Sequence, residues 1–290
     1  MIHTLKEKNW SGPFSRQEQE DAVVALEKGH VLYFPSLPFV LESDETILLS
    51  PNYSHPKSKN IGYDPKSRKV TGIQGADEVT PFFESMFDRY ATNTKILLKA
   101  ILPHYQKYLE RGRTSYRPVE IAGRQSSYRK DDTRLHVDAF PSSPVQGKRI
   151  LRVFTNINPH DQSRFWRLGE PFPKVVERFL PHCPRPLPGS QWLLERLRIT
   201  KTQRTPYDHY ILQLHNRMKA DEIYQKTAEQ QELSFPPQST WIVYTDLTSH
   251  AAIQGQYALE QTYYLPVDGM SSPELAPLKI LEKALGQLLL

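Results

Sequence analysis

Three residues of this 290-residue chain have the types and layout of a metal centre. The segment Arg134-Leu-His136-Val-Asp138-Ala-Phe-Pro141 sets an imidazole and a carboxylate two positions apart. In a strand, residues i and i+2 point to the same face. His136 and Asp138 therefore converge, and Val137 points away. A second histidine, His250, lies far downstream, after the apolar run 241–246 and before Gly255 at a turn. Two imidazoles and one carboxylate form a 2-His-1-carboxylate facial triad, which suits non-haem Fe(II) and leaves coordination positions open. A bidentate 2-oxo acid fills two of them and O2 the third. The other histidines compete poorly. His209 and His215 have a spacing that shares no helical face, and His55, His160 and His182 sit by Pro-rich loops.

A 2-oxoglutarate cosubstrate brings a distal carboxylate, best met by a planar, bidentate guanidinium. In many double-stranded β-helix oxygenases that group stands on the last strand, shortly beyond the distal histidine. Here the position holds Gln261. The alternative place is the strand after His-x-Asp, residues 149–158. Alternation sets Arg152, Phe154, Asn156 and Asn158 on one face, and Arg149, Leu151, Val153 and Thr155 on the other. Arg152 is favoured over Arg149 as the inward cation, with Asn156 on its face. Arginines also crowd the approach to the triad. Arg129 and Arg134, with Arg124 behind them, are the candidates for holding an anionic substrate.

The elements that must position these residues follow from the rest of the pattern. The 24 prolines break the chain often, so short strands and many loops are expected rather than a helical bundle. Ser15-Arg-Gln-Glu18 is a capping box that opens a helix ending at Gly29. Residues 31–34 read as a strand. A second helix starts at Thr80-Pro81 and ends near Pro103, with Phe83, Phe87, Tyr90, Thr94, Leu97 and Ile101 on its buried side. From about residue 116 the texture is β-rich, with runs at 118–121, 126–128, 150–157, 241–244 and 259–265. A long insertion, 159–237, separates the third of these from the fourth. It carries helical stretches at 173–180, 191–197 and 210–230. Residues 272–290 form an amphipathic helix with a stripe of Leu275, Leu278, Leu281, Leu285 and Leu288. The expected fold is thus α+β: a double-stranded β-helix (jelly roll) over 116–268, a helical N-terminal flank over 1–115 and a C-terminal helix over 269–290, all in one domain.

Composition excludes several classes. The lone Cys183 rules out an internal disulfide and a thiolate cluster. No stretch is long and apolar enough to span a membrane, and residues 1–10 lack the apolar region of a signal peptide. The reading is cytoplasmic, compatible with peripheral contact at a membrane surface. A net charge of +5 favours an anionic partner without naming it. Two rival readings are a cupin-like metal isomerase or hydrolase and a non-enzymatic basic binding module.

Several segments together resemble a known family. They are Arg134-Leu-His-Val-Asp-Ala-Phe-Pro-Ser142; Gly147-Lys-Arg-Ile-Leu-Arg-Val-Phe154; Phe165-Trp-Arg167 with Gly169 and Phe172; His215-Asn-Arg-Met-Lys219; and Ser249-His-Ala-Ala252 with Gly255-Gln256 and Leu259-Glu-Gln-Thr262. This series is similar to the bacterial Kdo 3-hydroxylases over roughly residues 120–265. The resemblance implies an Fe(II)/2-oxoglutarate-dependent dioxygenase that hydroxylates C3 of the Kdo sugar in the inner core of lipopolysaccharide. It implies His136, Asp138 and His250 as iron ligands. It also accounts for the basic residues, since Kdo carries a carboxylate and lipid A carries phosphates. The implied partner is the glycolipid Kdo–lipid A at the cytoplasmic face of the inner membrane, with no nucleic acid.

Overall fold

Eight strands form the main sheet and three a smaller one that faces it. The computed structural model describes residues 1–56, 58–74 and 78–290. In chain order the strands are β1 (Ile2–Thr4), β2 (Val31–Phe34), β3 (Ile61–Asp64), β4 (Lys69–Thr71), β5 (Glu110–Arg117), β6 (Arg149–Asn156), β7 (Arg164–Leu168), β8 (Gln231–Phe235), β9 (Thr240–Tyr244), β10 (His250–Gln254) and β11 (Ala258–Leu265). The main sheet runs β1-β2-β9-β6-β11-β5-β3-β4, and the small sheet runs β10-β7-β8. The helices are α1 (Arg16–Glu27), α2 (Thr80–Ile101), α3 (Phe172–Phe179), α4 (Ser190–Arg196), α5 (Pro206–Ala220), α6 (Glu222–Thr227) and α7 (Pro277–Leu285). This is the expected jelly roll flanked by helices.

Local chemistry explains the main boundaries. Ser15 and Glu18 make the capping box of α1, each accepting a backbone N–H of the other. The helix stops where Gly29 takes φ +82°, a conformation that favours glycine. In α2, Phe83, Phe87, Tyr90, Thr94, Leu97 and Ile101 are all buried. Tyr90 reaches the main sheet and donates to Val153 O at 3.1 Å.

β6 is buried along its whole length, because helices cover one of its faces and the small sheet the other. Between the sheets lies an aromatic core. Phe154 packs edge-on to Trp166 at 5.0 Å, and Trp241 stacks on Phe235 at 4.1 Å. These rings are rigid and closely packed, so they fix the distance between the sheets.

Several expectations need correction. The segments 118–121 and 126–128 are not strands; 118–121 is loop, and Tyr128–Lys130 is a turn of 3-10 helix. The preceding residues, Glu110–Arg117, supply the core strand instead. The flank 1–115 is therefore not merely helical: β1 to β5 all join the main sheet. The insertion 159–237 likewise contains two strands of the small sheet, β7 and β8, besides its helices. Its last helical stretch begins earlier than expected, at Thr205-Pro206, and breaks at Asp221, whose side chain caps α6. The C-terminal helix is shorter than 272–290. It buries Leu278 and Leu281 and leaves Leu288 78% exposed.

Candidate metal centre

The ligand segment is extended but belongs to no full strand. His136 forms a single antiparallel bridge with His250: His136 N donates to His250 O at 3.0 Å, and His250 N to His136 O at 2.9 Å. Asp138 N donates to Thr245 O at 2.8 Å. On the other side the Gln225 amide acts as a surrogate strand, accepting from Leu135 N at 2.7 Å and donating to Leu135 O at 3.0 Å. The expected i, i+2 convergence is kept by these bonds.

The three side chains meet. One donor atom from each of His136, Asp138 and His250 lies within 4.8 Å of the others, and all three residues are buried. His136 Nδ1 is 2.8 Å from Arg134 O, and His250 Nδ1 is 2.8 Å from Thr248 O. A carbonyl only accepts, so each Nδ1 carries the proton and each Nε2 presents a lone pair. Burial lowers both imidazoles, His136 to about 3, so both are neutral at pH 7. Burial opposes the charge on Asp138, but the Arg152 guanidinium and His136 hold its carboxyl well below the usual range. Asp138 Oδ2 lies 3.0 Å from Arg152 Nη2, yet it receives no aligned hydrogen bond. A buried carboxylate oxygen with capacity to spare, beside two lone-pair nitrogens, fits a divalent iron.

Neighbouring side chains set the ligands in place. Trp166 stacks on His250 at 5.1 Å, which couples one ligand to the aromatic core. The His215 ring packs edge-on to His136 at 5.1 Å, and its Nδ1 donates to Val137 O at 2.8 Å, between the two ligands of the segment.

One arginine touches the triad, and two more lie close to its partner Glu260. Arg152 bridges Asp138 and Glu260, at 3.0 and 2.9 Å. Arg117 Nε donates to Glu260 at 3.1 Å. Arg164, on the same face of β7 as Trp166, is 1% exposed. It donates to Gly255 O at 3.0 Å, leaves its Nε unpartnered and makes no ion pair among the described residues. Burial, with Arg117 nearby, pushes it down to about 9. A buried guanidinium with no direct ion pair is costly even with carboxylates nearby, and a bidentate carboxylate is its natural partner.

Known proteins decide the family. Residues 9–288 match the family described as 3-deoxy-D-manno-oct-2-ulosonic acid (Kdo) hydroxylase. The chain belongs to the Kdo hydroxylase family. The crystal structure of the Kdo hydroxylase KdoO, a non-haem Fe(II) α-ketoglutarate-dependent dioxygenase, in complex with α-ketoglutarate and Fe(III), is similar with a TM-score of 0.96 at 46% identity, covering 100% of this chain and 97% of that one. The KdoO complex with cobalt(II) gives the same TM-score and identity over 99% of this chain and 97% of that one. No curated sequence matches the chain.

The other residues singled out from the sequence fare unevenly. Arg152 does face the triad, whereas Arg149 points to the opposite face and pairs with Asp246 at 2.7 Å. Gln261 is not at the site. It faces away from Arg152, and Thr114 donates to its amide oxygen at 2.6 Å. Its neighbour Glu260 points inward instead. Asn156 is engaged structurally, donating to Gln162 O and Phe235 O. Arg134 is committed to Asp131 at 3.4 Å and Glu222 at 2.6 Å, and what it offers the triad is its carbonyl. Arg129 is exposed and lies over the Tyr128 ring. Arg124 is partly buried beside a cleft. Sequence reading missed Arg164, Glu260 and Lys219, and took Arg117 only as one of the arginines crowding the approach to the triad. The usable signal for Arg164 was its place two residues before Trp166, on the same face of one strand.

Proposed function

We propose that this protein hydroxylates C3 of Kdo in Kdo–lipid A, using Fe(II), 2-oxoglutarate and O2. The observation that carries the reading is the buried His136, Asp138 and His250 cluster in a chain matched over residues 9–288 by the Kdo hydroxylase family. These three side chains would hold Fe(II) through two Nε2 atoms and a carboxylate oxygen. Bound there, the metal would supply the chemistry that links oxidative decarboxylation of 2-oxoglutarate to succinate and CO2 with hydroxylation of a C–H bond.

The chain's own residues then have defined tasks. Arg164 receives the distal carboxylate of 2-oxoglutarate, and the role expected of Arg152 moves to it, because Arg152 is already bridging two acids. Arg152 instead keeps Asp138 ionised and oriented. Trp166 and Phe154 close the inner wall and exclude water. Among the described residues no helix is long and apolar enough to cross a membrane. In this reading the protein meets the glycolipid headgroup at the cytoplasmic face of the inner membrane, and its net charge of +5 supports contact with an anionic surface.

The test is mass spectrometry of lipopolysaccharide from a Kdo-making host that expresses the chain. A gain of one oxygen on Kdo, absent with His136→Ala, is the expected result. No gain, from protein shown to convert 2-oxoglutarate to succinate, refutes the substrate and leaves the oxygenase chemistry standing.

A further inference from the structure

Lys219 stands on α5 one turn beyond His215, the residue packed against the ligand His136. It is 2% exposed. Its ammonium donates to Arg129 O at 3.3 Å and lies 3.8 Å from Asp132 Oδ1. An ammonium has three donors, so a buried one with a single long hydrogen bond is under-used. Asp132 cannot satisfy it alone. The same oxygen takes Lys59 at 2.8 Å, and the other lies 3.9 Å from Arg117.

The charge balance points the same way. Buried Arg152, Arg164 and Lys219 face buried Asp138 and Glu260, and partly buried Arg117 and Lys59 share Asp132. Among these groups five cations meet three carboxylates, with Glu120 near Arg164 and Asp131 near Lys219 acting more weakly. Fe(II) and the 2-oxoglutarate dianion cancel each other, so their binding leaves this excess in place. Buried charge without a counter-charge is unfavourable, and a further anion is called for.

Lys59 lines a surface cleft of about 630 Å³ together with Arg124, Lys130, Ser126 and Ser127. It joins the solvent side of the cleft to Asp132 and Lys219 behind it.

We propose that Lys219 and Lys59, joined through Asp132, form an anion subsite that takes the carboxylate of the substrate's sugar acid. This rests on the reading given under Proposed function. In such a sugar the carboxylate is two bonds from the carbon to be hydroxylated. Holding it beside His136 fixes which C–H bond faces the metal. Lys219 is a specificity residue in this scheme, and it touches no reacting atom.

The test is calorimetric binding to the cobalt(II)–2-oxoglutarate protein. The probes are the methyl glycoside of Kdo as the free acid and as its methyl ester, with inorganic phosphate as competitor. A charge-assisted hydrogen bond predicts that the parent prefers the acid roughly 10- to 100-fold. In Lys219→Met the acid should fall to the level of the ester, and Lys59→Met should lose part of the preference. A rise in Tm with cobalt(II) in each variant checks that the metal centre is formed. If Lys219→Met keeps the parent's acid-over-ester preference, the subsite is wrong. If the parent binds acid and ester equally while phosphate competes with both, the subsite takes phosphate and the carboxylate assignment falls. A parent that binds neither sugar overturns the Kdo reading itself, and this subsite with it.

Discussion

An imidazole whose Nδ1 is fixed to a carbonyl can meet a metal only through Nε2. At His136 and His250 that carbonyl belongs to the residue two positions earlier, Arg134 and Thr248. Ligand orientation is thus built into the local backbone, and burial keeps the rings neutral. The same burial gives stability a pH dependence. His136 is lowered to about 3 and His215 to about 4, both by burial. Unfolded, each titrates near 6.5, so over this range the unfolded chain binds more protons and stability rises with pH. The contribution is complete above about 6.5 and is lost as pH falls toward 3 to 4. The Tm of the metal-free protein should therefore drop between pH 7 and pH 5, with a shallower slope in His215→Gln; equal slopes in the two proteins would remove His215 from the account. Arg164 supports a prediction of the opposite character. Removing an unpaired buried cation relieves a desolvation cost, so Arg164→Leu should not lower the Tm. It should raise the KM for 2-oxoglutarate roughly 10- to 100-fold, the equivalent of a charged hydrogen bond, with cobalt(II) affinity much less affected. A KM like the parent's would move the anchor back to Arg152 or to Arg117.

At the scale of elements, the close packing of β7 and β10 decides whether the distal ligand is held. Gly169 follows β7, and its N–H donates to Ser249 O at 2.9 Å, next to His250. A Cβ there would stand 2.6 Å from Ser249 Oγ and 3.1 Å from Leu135. Neither neighbour is a long side chain that can swing aside. Gly169→Ala should cost about 1–3 kcal/mol, as overpacking does, and should weaken cobalt(II) binding because the push reaches His250. Thermal unfolding and a cobalt(II) absorption titration measure the two effects, and a variant with the parent's metal affinity would uncouple the β7–β10 contact from the ligand. The same strands show why sequence reading succeeded in some places only. α1 and α2 were legible because caps and apolar spacing are local signals. His136, Asp138 and His250 were legible because the i, i+2 rule needs only an extended backbone, which a single bridge and the Gln225 side chain provide. β5, β7 and β8 were not, since Glu-Arg-Gly-Arg-Thr-Ser-Tyr-Arg, Arg-Phe-Trp-Arg-Leu and Gln-Glu-Leu-Ser-Phe mix charge with apolar residues. In β5 and β7 the charges of Arg117 and Arg164 point inward near Glu260, a grouping that three separate strands bring together and no local pattern announces. Gln261 was misplaced for a related reason: a neighbour on the same strand faces the opposite side, and the inward position belongs to Glu260.

Across the whole molecule, the two ends of the chain are tied to one core. Buried Glu27, at the end of α1, accepts from Tyr105 at 2.6 Å and from the backbone N–H groups of Ser271 and Ser272 at 2.8 and 2.7 Å. Beyond that clasp, α7 buries Leu278 and Leu281, and Leu289 returns to the core with its carbonyl accepting from Tyr207 N. The leucine stripe that could have served as a membrane anchor is largely consumed by this packing, and Leu288 is the member left 78% exposed. The two roles make opposite demands on two leucines. If α7 is a structural seal, Leu281→Ala opens a cavity at a cost of about 2–5 kcal/mol. At roughly 2–4 °C per kcal/mol for a chain of this size, the Tm should fall by several degrees or more. Leu288→Ser should leave the Tm within experimental scatter, because a surface substitution removes no packing. It should also leave binding to anionic vesicles unchanged, since attraction there comes from Lys and Arg and weakens with salt. Vesicle sedimentation of parent and Leu288→Ser at low and at physiological salt separates the cases. A loss of binding in Leu288→Ser that salt does not reproduce would show that the C-terminal segment contacts the membrane.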